Sequence, residues 1–291
     1  MVSVKAGQTP REALRCVQQL LRQAGCGDPA FDARELFALA AAGDPRLRDE
    51  PLTEQEAAAL DRLAQRRAQR WPLQYLAGRW PFLDFELQVG PGVLIPRADT
   101  EVVCEAAAGT LEGLTAPRVA DLCSGSGALA LGIKRLVPDA QVTALEKSPE
   151  AFRYLTANAA GALPGFSAER PAVQPVLGDV FCWQDTLPEQ SFDLIVSNPP
   201  YLTTEEMGAL QPEVAFEPAM ALEAGQDGLD FYRHIAKHYK RALRPGGHLV
   251  FEIGWQQADA LRRIFAENGY DGVQIVRDYG GNDRAALAKI P

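Results

Sequence analysis

Between residues 118 and 290 the chain alternates short apolar runs with amphipathic helical stretches, and this pattern constrains the fold more than any other feature. The runs lie at 118–122, 141–146, 173–177, 192–197, 247–253, 272–276 and 285–290, and have the length and β-branched content of buried strands. Helical stretches near 128–136, 149–159, 229–243 and 256–268 fall between most of them. Strands joined through helices run largely parallel, with helices on both faces of the sheet. The expected fold class is therefore α/β. The fourth run ends abruptly, because Asn198-Pro199-Pro200-Tyr201 follows Ser197 and two prolines forbid the strand from continuing. In an open sheet of this kind ligands bind just beyond the carboxyl ends of the strands. Asn-Pro alone is often turn punctuation. Four such residues behind a buried strand, downstream of a glycine loop, shift the weight towards a site.

An amide and a rigid turn can orient another amide or an exocyclic amine. The Asn198 side-chain oxygen and the Pro199 carbonyl are acceptors of fixed direction, able to hold both hydrogens of a substrate NH2 group. Catalysis would then come from positioning rather than from a strong base, with Tyr201 walling the planar group.

Three earlier strand ends also carry candidates. After the first comes Asp121-Leu122-Cys123-Ser124-Gly125-Ser126-Gly127-Ala128, a glycine loop opening a helix, whose amino terminus favours an anionic group such as a carboxylate. The second ends in Glu146, nineteen residues past Gly127, suited to accept hydrogen bonds from two ribose hydroxyls. The glycine string alone fits a dinucleotide dehydrogenase equally well; strand, loop, helix and Glu146 together point to a nucleoside cofactor. The third ends in Gly178-Asp179-Val180-Phe181, where Asp179 could accept from an adenine amino group while Val180 or Phe181 packs on the ring. Its bland alternative is an exposed turn carboxylate.

The amino-terminal part reads differently. Thr9 to Glu12 and Thr53 to Glu56 have capping-box spacing, and helices are expected from Pro10 to near Gly25, over 30–42, and from Thr53 to about Arg70. Arg62, Arg66 and Arg70 form one stripe with Arg67 beside them, which reads as a solvated face or, more sharply, as a docking patch for an acidic protein. The stretch 71–78 breaks the helical pattern, and 82–89 alternates like a strand before the turn at Gly90-Pro91-Gly92. At 291 residues and 47% hydrophobic, the chain can bury two cores. Its net charge of −9 is uneven: residues 1–80 hold twelve Lys and Arg against ten Asp and Glu, so the remainder is strongly acidic. An acidic surface argues against direct nucleic-acid binding. Five scattered cysteines without a CxxC pair suit free thiols in a reducing cytoplasm. His234 and His238 are the sole i, i+4 histidine pair and read as a solvated helix face, so no metal is expected. The start has no apolar segment of the exported kind and no run approaches membrane-spanning length, so a soluble, cytoplasmic protein is expected.

The Asp121 to Gly127 loop, Glu146, Asp179 and Asn198 to Tyr201 together resemble a class I S-adenosylmethionine-dependent methyltransferase acting on a planar nitrogen. Further strings narrow the resemblance. Pro72-x-Gln74-Tyr75-Leu76-x-Gly78, Leu94-Ile95-Pro96-Arg97-x-Asp99-Thr100-Glu101, Phe216-Glu217-Pro218 and Asp278-Tyr279-x-Gly281-Asn282-Asp283-Arg284 are similar to those of the HemK/PrmC family of release-factor glutamine methyltransferases. That resemblance implies a Rossmann-like seven-stranded mostly parallel sheet in residues 96–291, a helical substrate-docking domain in 1–78 and a β-hairpin linker at 79–95. It implies S-adenosyl-L-methionine as cofactor, held by Asp121, Cys123, Ser124, Gly125, Ser126, Gly127, Glu146, Lys147, Asp179, Val180, Phe181 and Asn198. It implies Asn198, Pro199, Pro200 and Tyr201 as the catalytic set, the glutamine of a Gly-Gly-Gln loop in class I release factors as the target, and a monomeric enzyme.

Three departures stand out. Cys123 takes the place of a glycine, so the backbone there is expected to avoid a glycine-only conformation; Ala98 replaces a proline; Val180 stands where a bulky aromatic is usual. A glutamine methyltransferase of a large-subunit ribosomal protein, a nucleic-acid adenine methyltransferase and a non-enzymatic nucleoside binder are the alternatives. The adenine enzyme would want a basic channel to extrude its base.

Overall fold

The computed structural model describes residues 3–41 and 43–291. It divides into two compact units: the chain up to Arg79 together with Gln211–Phe216, and Trp80–Leu210 together with Glu217–Pro291.

The first unit is helical: α1 (Pro10–Gln23), α2 (Pro29–Ala41), α3 (Glu54–Ala68) and α4 (Leu73–Ala77). Both capping boxes form, with Thr9 and Thr53 accepting from the backbone of Glu12 and Glu56 while those carboxylates accept in return. Arg48 also grips Glu56, and that contact, first among several, holds the Glu56 carboxyl down to about 2. Ala42, the expected end of the second helix, lies outside the described residues. The 71–78 stretch does break α3, through Arg70 at a φ of +66°, but then adds the single turn of α4, closed by Gly78 at +73°. Val17, Leu21, Leu36, Phe37 and Leu60 are fully buried between the helices.

The arginine stripe is not what its spacing suggests. Arg67 is only 6% exposed and pairs with Asp32 at 2.7 Å and Glu213 at 2.9 Å. Arg70 donates to Glu213 at 2.7 Å, and Arg66 lies 4.5 Å above the Trp71 ring, which packs on Phe216. A solvated face accounts for Arg62 and Arg66, which are exposed, but not for the ion-paired Arg67 and Arg70. Their partner Glu213 returns from more than 140 residues away, so local periodicity could not reveal it.

The second unit opens with a hairpin of β1 (Arg79–Phe82) and β2 (Phe85–Gln88). The alternation at 82–89, read as one strand, is thus split by a turn with Leu83 at a φ of +51°. There follow α5 (Asp99–Gly109), β3 (Arg118–Leu122), α6 (Ala128–Leu136), β4 (Gln141–Glu146), α7 (Pro149–Gly161), β5 (Gln174–Leu177) and the single turn α8 (Val180–Trp183). The rest comprises β6 (Phe192–Ser197), the short α9 (Thr204–Met207), α10 (Asp230–His238), β7 (Leu243–Glu252), α11 (Ala258–Glu267), β8 (Asp271–Arg277) and β9 (Asp283–Lys289). The helix expected over 229–243 stops short, because Leu243 already pairs with Phe192 as the start of β7.

Seven strands form one sheet in the order β5-β4-β3-β6-β7-β9-β8. The first five are mutually parallel and β9 runs antiparallel to both its neighbours. Alternate residues feed opposite faces: Val119, Leu194 and Val250 enter one core, Ala120, Ile195 and Leu249 the other. The chain steps outward from β3 to β5 and then returns to lay β6 on the other side of β3. That reversal opens a crevice at the carboxyl ends of β3 and β6.

Asp32→Ala leaves the buried Arg67 guanidinium short of one carboxylate and is expected to cost the helical unit about 3 kcal/mol in urea unfolding. A loss below about 1 kcal/mol would contradict the buried pairing.

Candidate active site

A cavity of about 250 Å³ lies at this edge of the second unit. The β3 end supplies its floor. Asp121 is fully buried; its Oδ2 accepts from the Ala130 amide at 3.1 Å, whereas Oδ1 has no hydrogen-bond partner among the described residues. Burial pushes its carboxyl up to about 8. The Ser124 amide donates to the Leu145 carbonyl at 3.0 Å, tying the loop to the neighbouring strand. Gly127 has a φ of +88°, and a Cβ there would lie 2.8 Å from Leu155, so only glycine fits. Cys123 overturns its expectation: its φ is +61°, in the left-handed region that favours glycine. Its side chain packs against the core under the sheet, and that packing holds the strained backbone.

At the β4 end, Glu146 accepts from the Gly125 amide at 2.8 Å and the Ser148 amide at 2.7 Å, one bond on each oxygen. Each oxygen keeps a second lone pair for a ligand. Burial raises its pKa, opposed by those amides. At the β5 end, Asp179 caps α8 through the Phe181 amide at 3.0 Å and pairs with Lys147 at 2.8 Å. Val180 is buried, while Phe181 meets Phe231 edge-on at 5.0 Å. His234 stacks on His238 and meets Phe181 at a tilt, each with ring centroids 4.5 Å apart, so it is not part of a simply solvated face; burial and then His238 lower its pKa.

At the β6 end, Asn198 and Pro200 line the same cavity as these groups. Cys123, Ser124, Gly125, Ser126 and Lys147 also line it, whereas Gly127, Pro199 and Tyr201 do not. The Ser197 hydroxyl donates to the Leu122 carbonyl at 2.6 Å, fixing the β6 end to the β3 end. Beyond it, the Leu202 amide donates to the Leu222 carbonyl at 2.8 Å and Gln257 Nε2 donates to the Tyr201 carbonyl at 3.0 Å.

The remaining walls were missed from sequence. They are the 92–97 segment, Thr100 at the start of α5, Phe231, and residues 218–223. Two of the family-like strings carried the signal without the role. The last of the four strings, around Asp278, forms the β8–β9 turn and delivers Arg284, which pairs with Asp278 at 3.1 Å and Asp99 at 3.2 Å. Beside them Glu252, 1% exposed at the end of β7, accepts from the Thr100 hydroxyl at 2.7 Å, and burial raises its carboxyl to about 7.

A sheet of this order with a glycine loop at β3, an acid at β4 and a cavity over the switch point defines a Rossmann-like, S-adenosylmethionine-dependent methyltransferase. Residues 12–78 match the PrmC N-terminal domain family and residues 104–219 the methyltransferase small domain family. A release factor glutamine methyltransferase of Salmonella typhimurium is 39% identical over 240 residues, 82% of this chain and 83% of the relative. One from Moorella thermoacetica is 38% identical over 285 residues, 96% and 98% of the two chains. Among solved structures, the hMettl16 catalytic domain in complex with the MAT2A 3'UTR hairpin 6 shares the fold, with a TM-score of 0.57, 16% identity and coverage of 87% of this chain and 92% of that one. The chain belongs to the family of release factor glutamine methyltransferases. Among the described residues no helix is long and apolar enough to cross a membrane.

Asp121 and Glu252 sit above their ordinary values of 3.8 and 4.5, so the folded chain keeps protons that the unfolded chain has lost. Stability of the cofactor-free protein is therefore expected to fall as pH rises through about 7 to 8. His234 and His248, with lowered values, act mainly below pH 6.5. Melting from pH 6.5 to 8.5 should show a flatter profile for Asp121→Asn with Glu252→Gln than for the unaltered chain; equal slopes would contradict the burial of these charges.

Proposed function

We propose that the chain transfers a methyl group from S-adenosylmethionine to the side-chain amide nitrogen of the glutamine in the Gly-Gly-Gln loop of class I release factors. The observation that carries this reading is that Asn198, at the end of β6, shares one cavity with Asp121, Glu146 and Asp179 at the ends of β3, β4 and the β5 loop. The names of its relatives supply the substrate class.

The residues fit the cofactor. The unpartnered, buried Asp121 Oδ1 suits an ammonium group, whose approach would drive the carboxyl to ionise. Glu146 offers its free lone pairs to the ribose hydroxyls, and Asp179 offers one to the adenine amine beside Val180 and the Phe181–Phe231 pair. Lys147 keeps Asp179 ionised: burial opposes ionisation, but the Lys147 bond and the Phe181 amide outweigh it. When bound, the cofactor supplies an electrophilic methyl group on a sulfonium sulfur.

On the substrate side, an amide nitrogen is a poor nucleophile because its lone pair is delocalised into the carbonyl. Asn198 Oδ1, at the cavity wall, and the carbonyl of Pro199, next in the turn though not itself in the lining, are the acceptors we assign to the two amide hydrogens, turning the nitrogen towards the methyl carbon; Pro200 holds the turn rigid. Tyr201, whose ring lies outside the cavity lining, buttresses that turn through its backbone bonds to Leu222 and Gln257. With the cofactor bound, transfer would exchange a sulfur–carbon bond for a nitrogen–carbon bond, and the proton leaving the nitrogen would be one of those held by Asn198 Oδ1 and the Pro199 carbonyl, released to bulk solvent with the products. Leu94, Pro96, Pro218 and Met220 line the cavity with apolar surface that excludes water around the reacting atoms. The helical unit of residues 1–78 is the part we assign to docking the release factor.

Labelled methyl from S-adenosylmethionine should pass to a purified class I release factor and not to a copy with the loop glutamine changed. Label on duplex DNA instead, or on a large-subunit ribosomal protein, would overturn the substrate assignment. Glu146→Ala should weaken calorimetric cofactor affinity by at least about tenfold, as expected for losing charge-assisted hydrogen bonds; unchanged affinity would sink the ribose role.

A further inference from the structure

Two segments outside the main sheet line the cavity, 92–97 and 218–223. Neither belongs to a named strand or a regular α-helix; the second is tied at its end by a single parallel bridge between Leu202 and Glu223, and the first has no such bridge among the described residues. They are joined by one side chain. Glu217, whose side chain is 2% exposed, accepts from the Ile95 amide at 2.9 Å and from Arg97 Nη2. Ile95, Arg97 and Pro218 all line the cavity, while the Glu217 carboxylate stands behind it.

We propose that Glu217 is a positioning residue for methyl transfer: its buried carboxylate clasps the 92–97 segment to the 218–223 segment and so fixes the walls of the cavity that Asn198 also lines. The inference rests on the reading of the cavity as the methyl-transfer site. A buried carboxylate with a main-chain donor on one oxygen and a guanidinium on the other holds both direction and distance. The guanidinium is itself oriented by the contact, which holds Arg97, one of the cavity-lining residues, in one geometry. The 218–223 side is anchored in turn to the catalytic turn, since the Tyr201 and Leu202 amides donate to the Leu222 carbonyl. The clasp thus closes a ring from the wall, through residue 222, to the Asn198 turn.

The test compares Glu217→Ala, Glu217→Gln, Arg97→Ala and the double alanine variant in single-turnover methyl transfer, S-adenosylhomocysteine affinity and thermal melting. Glu217→Ala should slow transfer at saturating substrate about 10²-fold, the penalty of a wall displaced by an ångström. Glu217→Gln, which keeps an acceptor for the Ile95 amide, should recover most of that loss. The double variant should be no slower than the worse single one, because both act through one contact. Wild-type turnover at saturation by Glu217→Ala, with only its melting lowered, would overturn the proposal, as would fully multiplicative effects. Should the unaltered chain fail to methylate a release factor, the function reading falls and the positioning role with it, whereas normal turnover by the unaltered chain beside equal turnover by Glu217→Ala overturns the clasp alone.

Discussion

The Ser197 hydroxyl donates to the Leu122 carbonyl at 2.6 Å, and through that bond the ends of β6 and β3 become one surface. β3 carries the glycine loop and β6 the Asn198 turn, so the parts of the site we assign to cofactor and substrate are registered to each other by neighbouring strands rather than by loops. The strand order makes this possible. Because the chain builds β3, β4 and β5 outward and then returns to place β6 against β3, four strand ends face one crevice. Pro199 and Pro200 then stop β6 where its last residues meet that crevice.

Holding charge at that edge is costly to the empty protein. Asp121 and Glu252 are buried carboxyls with raised pKa values, and one Asp121 oxygen lacks any partner among the described residues. Cys123 adds a left-handed backbone at a non-glycine residue. Such local costs persist where the surrounding structure over-determines them, and here that surrounding is two apolar cores on the faces of the sheet. A cationic ligand group beside Asp121 would remove part of the cost, so binding and stability are linked at this position.

What could be read from sequence was what local chemistry dictates. Capping boxes at Thr9 and Thr53 and the strand ends at Glu146 and Asn198 follow from residues within a few positions of each other. Long-range partners could not be read. Glu213 draws Arg67 and Arg70 out of the arginine stripe into an ion-pair cluster, Glu217 gives the Leu94 to Arg97 string its structural role, and Arg284 gives Asp99 a partner. Cys123 failed for a related reason: intrinsic backbone preference argued against a positive φ, and packing beneath the loop outweighed it. The hairpin was blurred because alternation runs through a two-residue turn, leaving no composition signal at Leu83.

The central claim is that Asn198 acts by orienting a substrate amide, not by holding the fold or the cofactor. Its most direct test is Asn198→Ala, with single-turnover methyl transfer to a class I release factor measured beside S-adenosylhomocysteine affinity on the same preparation. The account predicts a rate lower by about 10² to 10³, the usual cost of one preorganised polar contact, with affinity close to that of the unaltered chain. Loss of affinity in step with the rate would contradict it and make Asn198 a structural or cofactor-binding residue.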